Sequence, residues 1–188
     1  MIKQAYVNGE PISREAVQFE LDRLVKFYAT HGVDAEEIKK NLEALVEKAR
    51  EQAIGAKLLL ARAEQLDIPV PEAAIDAQVE KVVQQVGGRE DFVKALAAQK
   101  ISEDDFRREL AKGCRVDMLV QQACSGVAEP TEQEVADWYA AHKDSYRDGQ
   151  TIVDVADQIR DLLRHEARGR AMDAFIAELR ENAKIEYR

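Results

Sequence analysis

The side chains of this sequence that could act as nucleophiles, metal ligands or acid–base groups are few: two cysteines, three histidines and several paired carboxylates. Cys114 and Cys124 fall on what the periodicity reads as one helix, where ten residues at about 1.5 Å each hold them about 15 Å apart. A disulfide needs Cα atoms within about 7 Å, so the two do not pair within the chain while that helix is intact. Neither has a histidine within a turn, which favours inert thiols over nucleophiles, and unpaired thiols lean towards a reducing compartment. His31, His142 and His165 are scattered, and with two cysteines they supply no zinc ligand set. His165-Glu166 lacks the second histidine that a helical zinc-protease motif requires, so it reads as part of a solvated charged face.

Gly87-Gly88 is followed by acidic residues and lacks the Lys and Ser/Thr of a phosphate-binding loop, and there is no Gly-x-Ser-x-Gly elbow. The pairs Glu36-Glu37 and Asp104-Asp105 sit where first helical turns are expected, and there they complement the helix dipole. His31 and His142 sit near expected helix C-termini, where an imidazole is favourable for the same reason. The expectation is therefore a chain with no catalytic residue, no cofactor and no metal.

The elements that would position these residues follow from composition and periodicity. Of the 188 residues, 46% are apolar and 34% charged, with only 9 Gly and 4 Pro, which excludes disorder, collagen-like repeats and a turn-rich all-β chain. The length fits one compact domain or two small ones sharing a core. Twenty-seven Lys and Arg against 36 Asp and Glu give a net charge of −9, which disfavours a sequence-independent grip on nucleic acid or anionic lipid. No run of about eighteen apolar residues is present, so no membrane span is expected. The first residues lack the apolar core of a signal peptide, leaving a cytoplasmic protein or a mature form as alternatives.

Helical spacing dominates. Val17, Leu21, Leu24, Val25 and Tyr28 form an amphipathic helix from Ser13 to Gly32. Asp34 and Glu37 make a capping box for a second helix, expected to run unbroken to about Leu66. After the stiff Ile68-Pro69-Val70-Pro71 link, Ile75, Val79, Val82, Val83 and Val86 mark a third helix. Phe92, Val93 and Leu96 mark a short fourth, and Ser102 caps a fifth carrying Phe106, Leu110, Cys114, Met118 and Leu119. Thr131 and Glu134 box the helix of Val135, Trp138 and Tyr139, and after a polar turn Thr151 caps a last long helix.

Gln4 to Val7 and Lys184 to Tyr187 alternate, so two short strands from opposite termini are expected to pair antiparallel. The fold class is thus mainly α, with long helices, a helical insertion and a minimal two-stranded pairing of the chain ends. That pairing gathers residues 1–70 and 150–188 into a terminal body, with 71–146 as the insertion. A long helix with an exposed apolar stripe favours a homodimer, in which N-terminal elements could be exchanged.

The order of motifs resembles the SurA-like chaperone family, the group that includes PpiD- and PrsA-type proteins. Val7-Asn8-Gly9-Glu10-Pro11-Ile12-Ser13 is similar to the family's Val-Asn-Gly-x-x-Ile-(Ser/Thr) opening. Ile68-Pro69-Val70-Pro71-Glu72, Gly87-Gly88-Arg89-Glu90-Asp91-Phe92 and Ser102-Glu103-Asp104-Asp105-Phe106-Arg107-Arg108-Glu109-Leu110 resemble its central run. Pro130-Thr131-Glu132-Gln133-Glu134-Val135, with Trp138-Tyr139, and the closing Leu179-Arg180-Glu181-Asn182-Ala183-Lys184-Ile185 resemble the remainder. The Arg-His-Ile-Leu and Gly-Gly-x-Leu-Gly signatures of the parvulin prolyl isomerase domain are absent, and Arg147-Asp148-Gly149-Gln150 stands where that domain would be inserted.

The resemblance implies an ATP-independent holding chaperone that shields unfolded or extended client polypeptides in an apolar crevice, without isomerase activity. Met and aromatic residues make adaptable contacts, which points to Phe92, Leu96, Phe106, Leu110, Met118, Trp138, Tyr139 and Tyr146 as client-binding candidates. For each, ordinary core packing is the competing role. Two alternatives stay open: a dedicated assembly or maturation factor for one partner, or the chaperone core of a parvulin-type isomerase whose catalytic domain has been removed. The family points to the bacterial periplasm or cell envelope, and the unpaired thiols to the cytoplasm.

Overall fold

Both chain ends meet in one small antiparallel sheet. In the computed structural model, which describes residues 4–146 and 150–188, β1 (Ala5–Val7) is central, between β2 (Glu10–Pro11) and β3 (Ile185–Tyr187). Ala5 lies opposite Tyr187, Tyr6 opposite Glu186 and Val7 opposite Ile185. The expected pairing of the termini is present, and β2 adds a third strand that alternation alone did not mark. Its cause is the Asn8-Gly9 turn, where both residues take positive φ (53° and 87°), as a tight hairpin with right-handed strand twist requires. Asn8 also accepts a hydrogen bond from the Lys184 amide through its side chain (2.9 Å), locking the hairpin to the other end of the chain.

Period-two alternation turns Ala5 and Val7 inward and leaves Tyr6 half-buried. Beneath the sheet they pack with Ile12 and with Ala53, Ile54 and Leu58 of α3 (Leu42–Gln65). Leu179 and Ala183, at the end of α8 (Ile152–Glu181) and just beyond it, close this core from the other side. The helix α1 (Arg14–Thr30) packs along α3. Small buried residues on α3, Ala49, Ala53 and Gly55 among them, leave room for close approach. Ser13 caps α1 by accepting the Ala16 amide (3.0 Å).

The second helix is not continuous as expected. It is divided into α2 (Ala35–Lys40) and α3 at Asn41, whose backbone (φ −99°, ψ 11°) departs from the helix. The Asn41 side chain donates to the Glu37 carbonyl (2.9 Å), a local bond with which asparagine competes against helical continuation.

After the proline link come α4 (Glu72–Gln85), α5 (Arg89–Gln99) and α6 (Glu103–Ala123). Gly87 (φ 101°) and Gly88 (φ 119°) end α4 in backbone conformations that L-residues rarely adopt. Ser102 caps α6 by accepting the Asp105 amide (3.0 Å). Cys114 is buried in α6, whereas Cys124 lies one residue past its end and not within it; both are free thiols.

The chain divides into two compact units, Met1–Leu119 with Glu178–Arg188, and Val120–Ala177. The second holds α7 (Glu132–Ala141), a 3-10 turn at Lys143–Ser145 and most of α8. Its core is Val135, Val155 and Ile159. The Thr131–Glu134 capping box is complete: the Glu134 amide donates to Thr131 Oγ1 (3.2 Å) and the Thr131 amide to Glu134 Oε2 (2.7 Å). Of the polar turn before α8, residues 147–149 lie outside the described residues.

Ile54 has no exposed surface, so Ile54→Ala should leave a cavity under the sheet and lower the urea unfolding free energy by about 2–5 kcal/mol. Val153→Ala, at a position 84% exposed, should change it by less than about 0.5 kcal/mol.

Candidate functional site

The eight candidate residues separate into two apolar clusters, one in each compact unit, and one residue that joins neither. In the first unit Ile75, Val79 and Val83 of α4 face Phe92 of α5, with Leu96, Phe106 and Leu110 packed around them. Phe92 and Phe106 meet edge to face, with centroids 5.3 Å apart and planes at 68°, a favourable quadrupole arrangement. Phe92 is only 2% exposed and braces the cluster from beneath. Leu96, Phe106 and Leu110 are half-buried, and the next residue along α5, Val93, is 50% exposed. Apolar surface therefore continues from the core to the outside of α5.

In the second unit Trp138 and Tyr139 of α7 meet Tyr146, at 6.2 Å and 5.4 Å between centroids. His142 stacks on Trp138 at 4.0 Å, and its Nδ1 lies 2.9 Å from the Trp138 carbonyl. The Tyr139 hydroxyl donates to the Gln150 carbonyl (2.7 Å), pinning the start of α8 to α7. All three aromatic residues are half-buried against Val135, Val155 and Ile159. Met118, near the end of α6, is half-buried but belongs to neither cluster.

A groove of 580 Å³ in the second unit, lined in part by Val120, Cys124, Val127, Gly169 and Met172, was not foreseen. Its lining comes from residues 120–129 and from α8 positions 165–172, so no single periodic stretch announces it. Among the described residues, no three His, Cys, Asp or Glu side chains gather into a metal site. No described helix is long and apolar enough to cross a membrane.

Ion pairs set the helices around these clusters. Arg107 of α6 clamps Glu72 (2.9 Å) and Asp76 (2.6 Å) on α4, and those hydrogen bonds push its pKa up. Arg115 donates to the Ile68 carbonyl (3.0 Å), fastening α6 to the proline link. On α8, Arg160 pairs with Glu132 (2.7 Å) and Arg164 with Glu129 (2.7 Å). The Arg164 bond holds the Glu129 carboxyl below its ordinary value. Backbone amides at the caps do the same to Glu134 and Asp154.

Residues 3–123, from before β1 to the end of α6, match the SurA-like N-terminal domain. The chain belongs to that family. Across its whole length this SurA-like chain is also similar in fold to a solved structure described under the virulence factor PEB4 and the periplasmic protein Cj1289, two structurally related SurA-like chaperones of Campylobacter jejuni. The TM-score is 0.54 at 14% identity, covering 100% of this chain and 99% of that one. Among curated proteins it is similar to trigger factor of Syntrophomonas wolfei subsp. wolfei, 35% identical over 71 residues, 38% of this chain and 15% of that protein. It is also similar to trigger factor of Corynebacterium jeikeium, 28% identical over 110 residues, 54% of this chain and 21% of that protein. The chain thus spans about a fifth or less of the length of those relatives.

The depressed carboxyls fix a direction for acid stability. Glu129, Glu134 and Asp154 bind protons less readily folded than unfolded, so their contribution is complete above the ordinary values of 4.5 and 3.8 and is lost as pH falls below them. The melting temperature should hold level from about pH 7 to 5 and drop below about pH 4.5, with a shallower drop in Glu134→Gln, measured by circular dichroism.

Proposed function

We propose that this SurA-like chain is a holding chaperone that binds unfolded or extended segments of client proteins on apolar surface and keeps them from aggregating, without ATP and without chemistry. The observation that carries this reading is the grading of the two clusters from buried core to half-buried aromatic and aliphatic side chains. Leu96, Phe106, Leu110, Met118, Trp138, Tyr139 and Tyr146 offer partial surfaces of adaptable shape, and Phe92 supports them from below. Contacts of this kind tolerate many sequences. The net charge of −9 favours basic or neutral clients and keeps a loaded complex soluble. Membership of the SurA-like family and the resemblance to chaperones of that type support the same reading. The cell envelope is the proposed compartment, in line with the periplasmic relative.

Light scattering of denatured clients diluted into buffer without nucleotide tests this. At near-equal molar ratio, the chain should suppress the aggregation of several unrelated clients. Suppression of one client alone would indicate a dedicated assembly factor instead. Leu96→Glu and Tyr146→Glu should weaken suppression severalfold while the melting temperature moves by only a few degrees. Phe92→Asp buries a charge and should unfold the first unit's helices.

A homodimer is part of the proposal. It is supported by Phe19 and Phe27, which stand 63% and 53% exposed on α1. Sedimentation equilibrium should give twice the chain mass at micromolar concentration, and Phe19→Ser with Phe27→Ser should shift the equilibrium to monomer.

A further inference from the structure

Where α1 leaves the sheet, the first unit holds a pocket of 460 Å³ whose chemistry differs from that of both clusters. Its apolar lining is Ala5, Ile12, Val17, Leu21 and Val46, aliphatic throughout. Its charged side chains are Arg14, Arg50 and Arg188, with no acidic side chain among the lining residues. Arg50 is held by Glu47 and Glu51, and lies over the Tyr187 ring at 5.0 Å. Arg188 pairs with Glu186 (2.9 Å) and lies over the Tyr6 ring at 4.7 Å. Both guanidinium groups are thereby fixed in place. Arg14 differs: it is exposed and makes no salt bridge among the described residues. It also sits in the first turn of α1, where the helix dipole disfavours a cation and the adjacent Glu15 carboxyl interacts with it only through charge, without a salt bridge. Beside it Gln18 donates to Asp22 (2.8 Å), while its amide oxygen accepts no bond among the described residues.

We propose that this pocket receives the C-terminal residue of a client polypeptide: an aliphatic side chain on the apolar floor, the terminal carboxylate on Arg14, and the last peptide N–H towards the Gln18 amide oxygen. Arg14, whose guanidinium has no salt-bridge partner among the described residues while Arg50 and Arg188 are paired, selects an anion, and the aliphatic floor selects one with an apolar group on the same carbon as its carboxylate. An internal Asp or Glu has no such group. The volume is that of a site for one or two residues and not for a long segment. Capture of a terminal carboxylate is an established mode of peptide recognition. The inference rests on the holding-chaperone reading for its class of ligand, and adds to it a fixed point at which a client's end is held.

Fluorescence anisotropy with a labelled peptide ending in Leu as the free acid, against the same peptide ending in a C-terminal amide, tests this on the full chain. The acid should bind about tenfold more tightly than the amide, the scale of one charge-assisted hydrogen bond. Arg14→Gln should abolish that preference without moving the melting temperature, while Lys26→Gln, which removes an equal charge from an exposed site on the same helix, should leave it intact. Equal binding of acid and amide would overturn the proposal, as would equal losses in the two variants. Displacement by free octanoate as efficient as by the peptide acid would also overturn it, by assigning the pocket to free carboxylate amphiphiles. Aggregation suppression measured in parallel separates the two readings. Suppression without acid preference overturns the pocket alone, and acid preference without suppression overturns general holding and supports the pocket.

Discussion

The pairing of β1 with β3 is the contact on which the first unit depends. Gln4 and Arg188 exchange two backbone hydrogen bonds (2.8 and 2.9 Å), and the Asn8 amide donates to the Lys184 carbonyl (2.8 Å). These bonds join residues near opposite ends of the sequence, and the closure they enforce places the end of α8 against α3. Closing so long a segment costs only a few kcal/mol more than closing a short one, since the cost rises with the logarithm of length. The apolar contacts it creates, of Val7, Ile12, Ile54, Leu58 and Leu179, are together large enough to offset that cost. Without the sheet, Ala5 and Val7 lose their cover and Ala53, Ile54 and Leu58 of α3 lose the side chains they pack against.

From that base the other elements are held by polar fixings rather than by one extended core. Arg115 ties α6 to the proline link, Arg107 ties it to α4, and Arg164 ties α8 to the segment before α7. All lie at the periphery of small apolar clusters. Each cluster has a few fully buried members, such as Phe92 or Val135, surrounded by side chains that are only half-covered. A domain with a single large core would have buried those side chains. Dividing apolar residues among small clusters leaves more of them at the surface, as the scaling of surface with size requires.

Much of the fold was legible because its signals are local. Asp34, Ser102 and Thr131 each cap the helix that the sequence assigns to them, since capping depends on residues three apart. The break at Asn41 was not legible, because the apolar spacing on either side continues in phase and only one side-chain bond to Glu37 decides it. The third strand followed from Asn8-Gly9, a hairpin signal overlooked because its strands are too short to alternate. At the candidate site, spacing placed seven of the eight candidates in the apolar clusters, Met118 being the exception, but did not show how completely each is covered: Phe92 and Val93 are neighbours in sequence and opposite in exposure. The pocket of Arg14, Arg50 and Arg188 was invisible, because its cations come from α1, from α3 and from the residue after β3, which only tertiary packing brings together.

The half-covered side chains also bear on how a holding role would operate. Covering about 50 Å² more on each of about six such side chains would contribute about 7.5 kcal/mol at about 25 cal/mol per Å². Association costs on the order of 4–15 kcal/mol in lost freedom, so contacts of this size leave individual client segments weakly bound. In such a role, weak binding of any one segment would let a client leave as soon as its own core could compete for the same side chains. A fixed anchor for one chain end would act differently, since it raises the effective concentration of the segments next to it. The first unit's cluster and the arginine-lined pocket would then have complementary tasks, the cluster covering exposed apolar segments and the pocket lengthening the time a client stays bound.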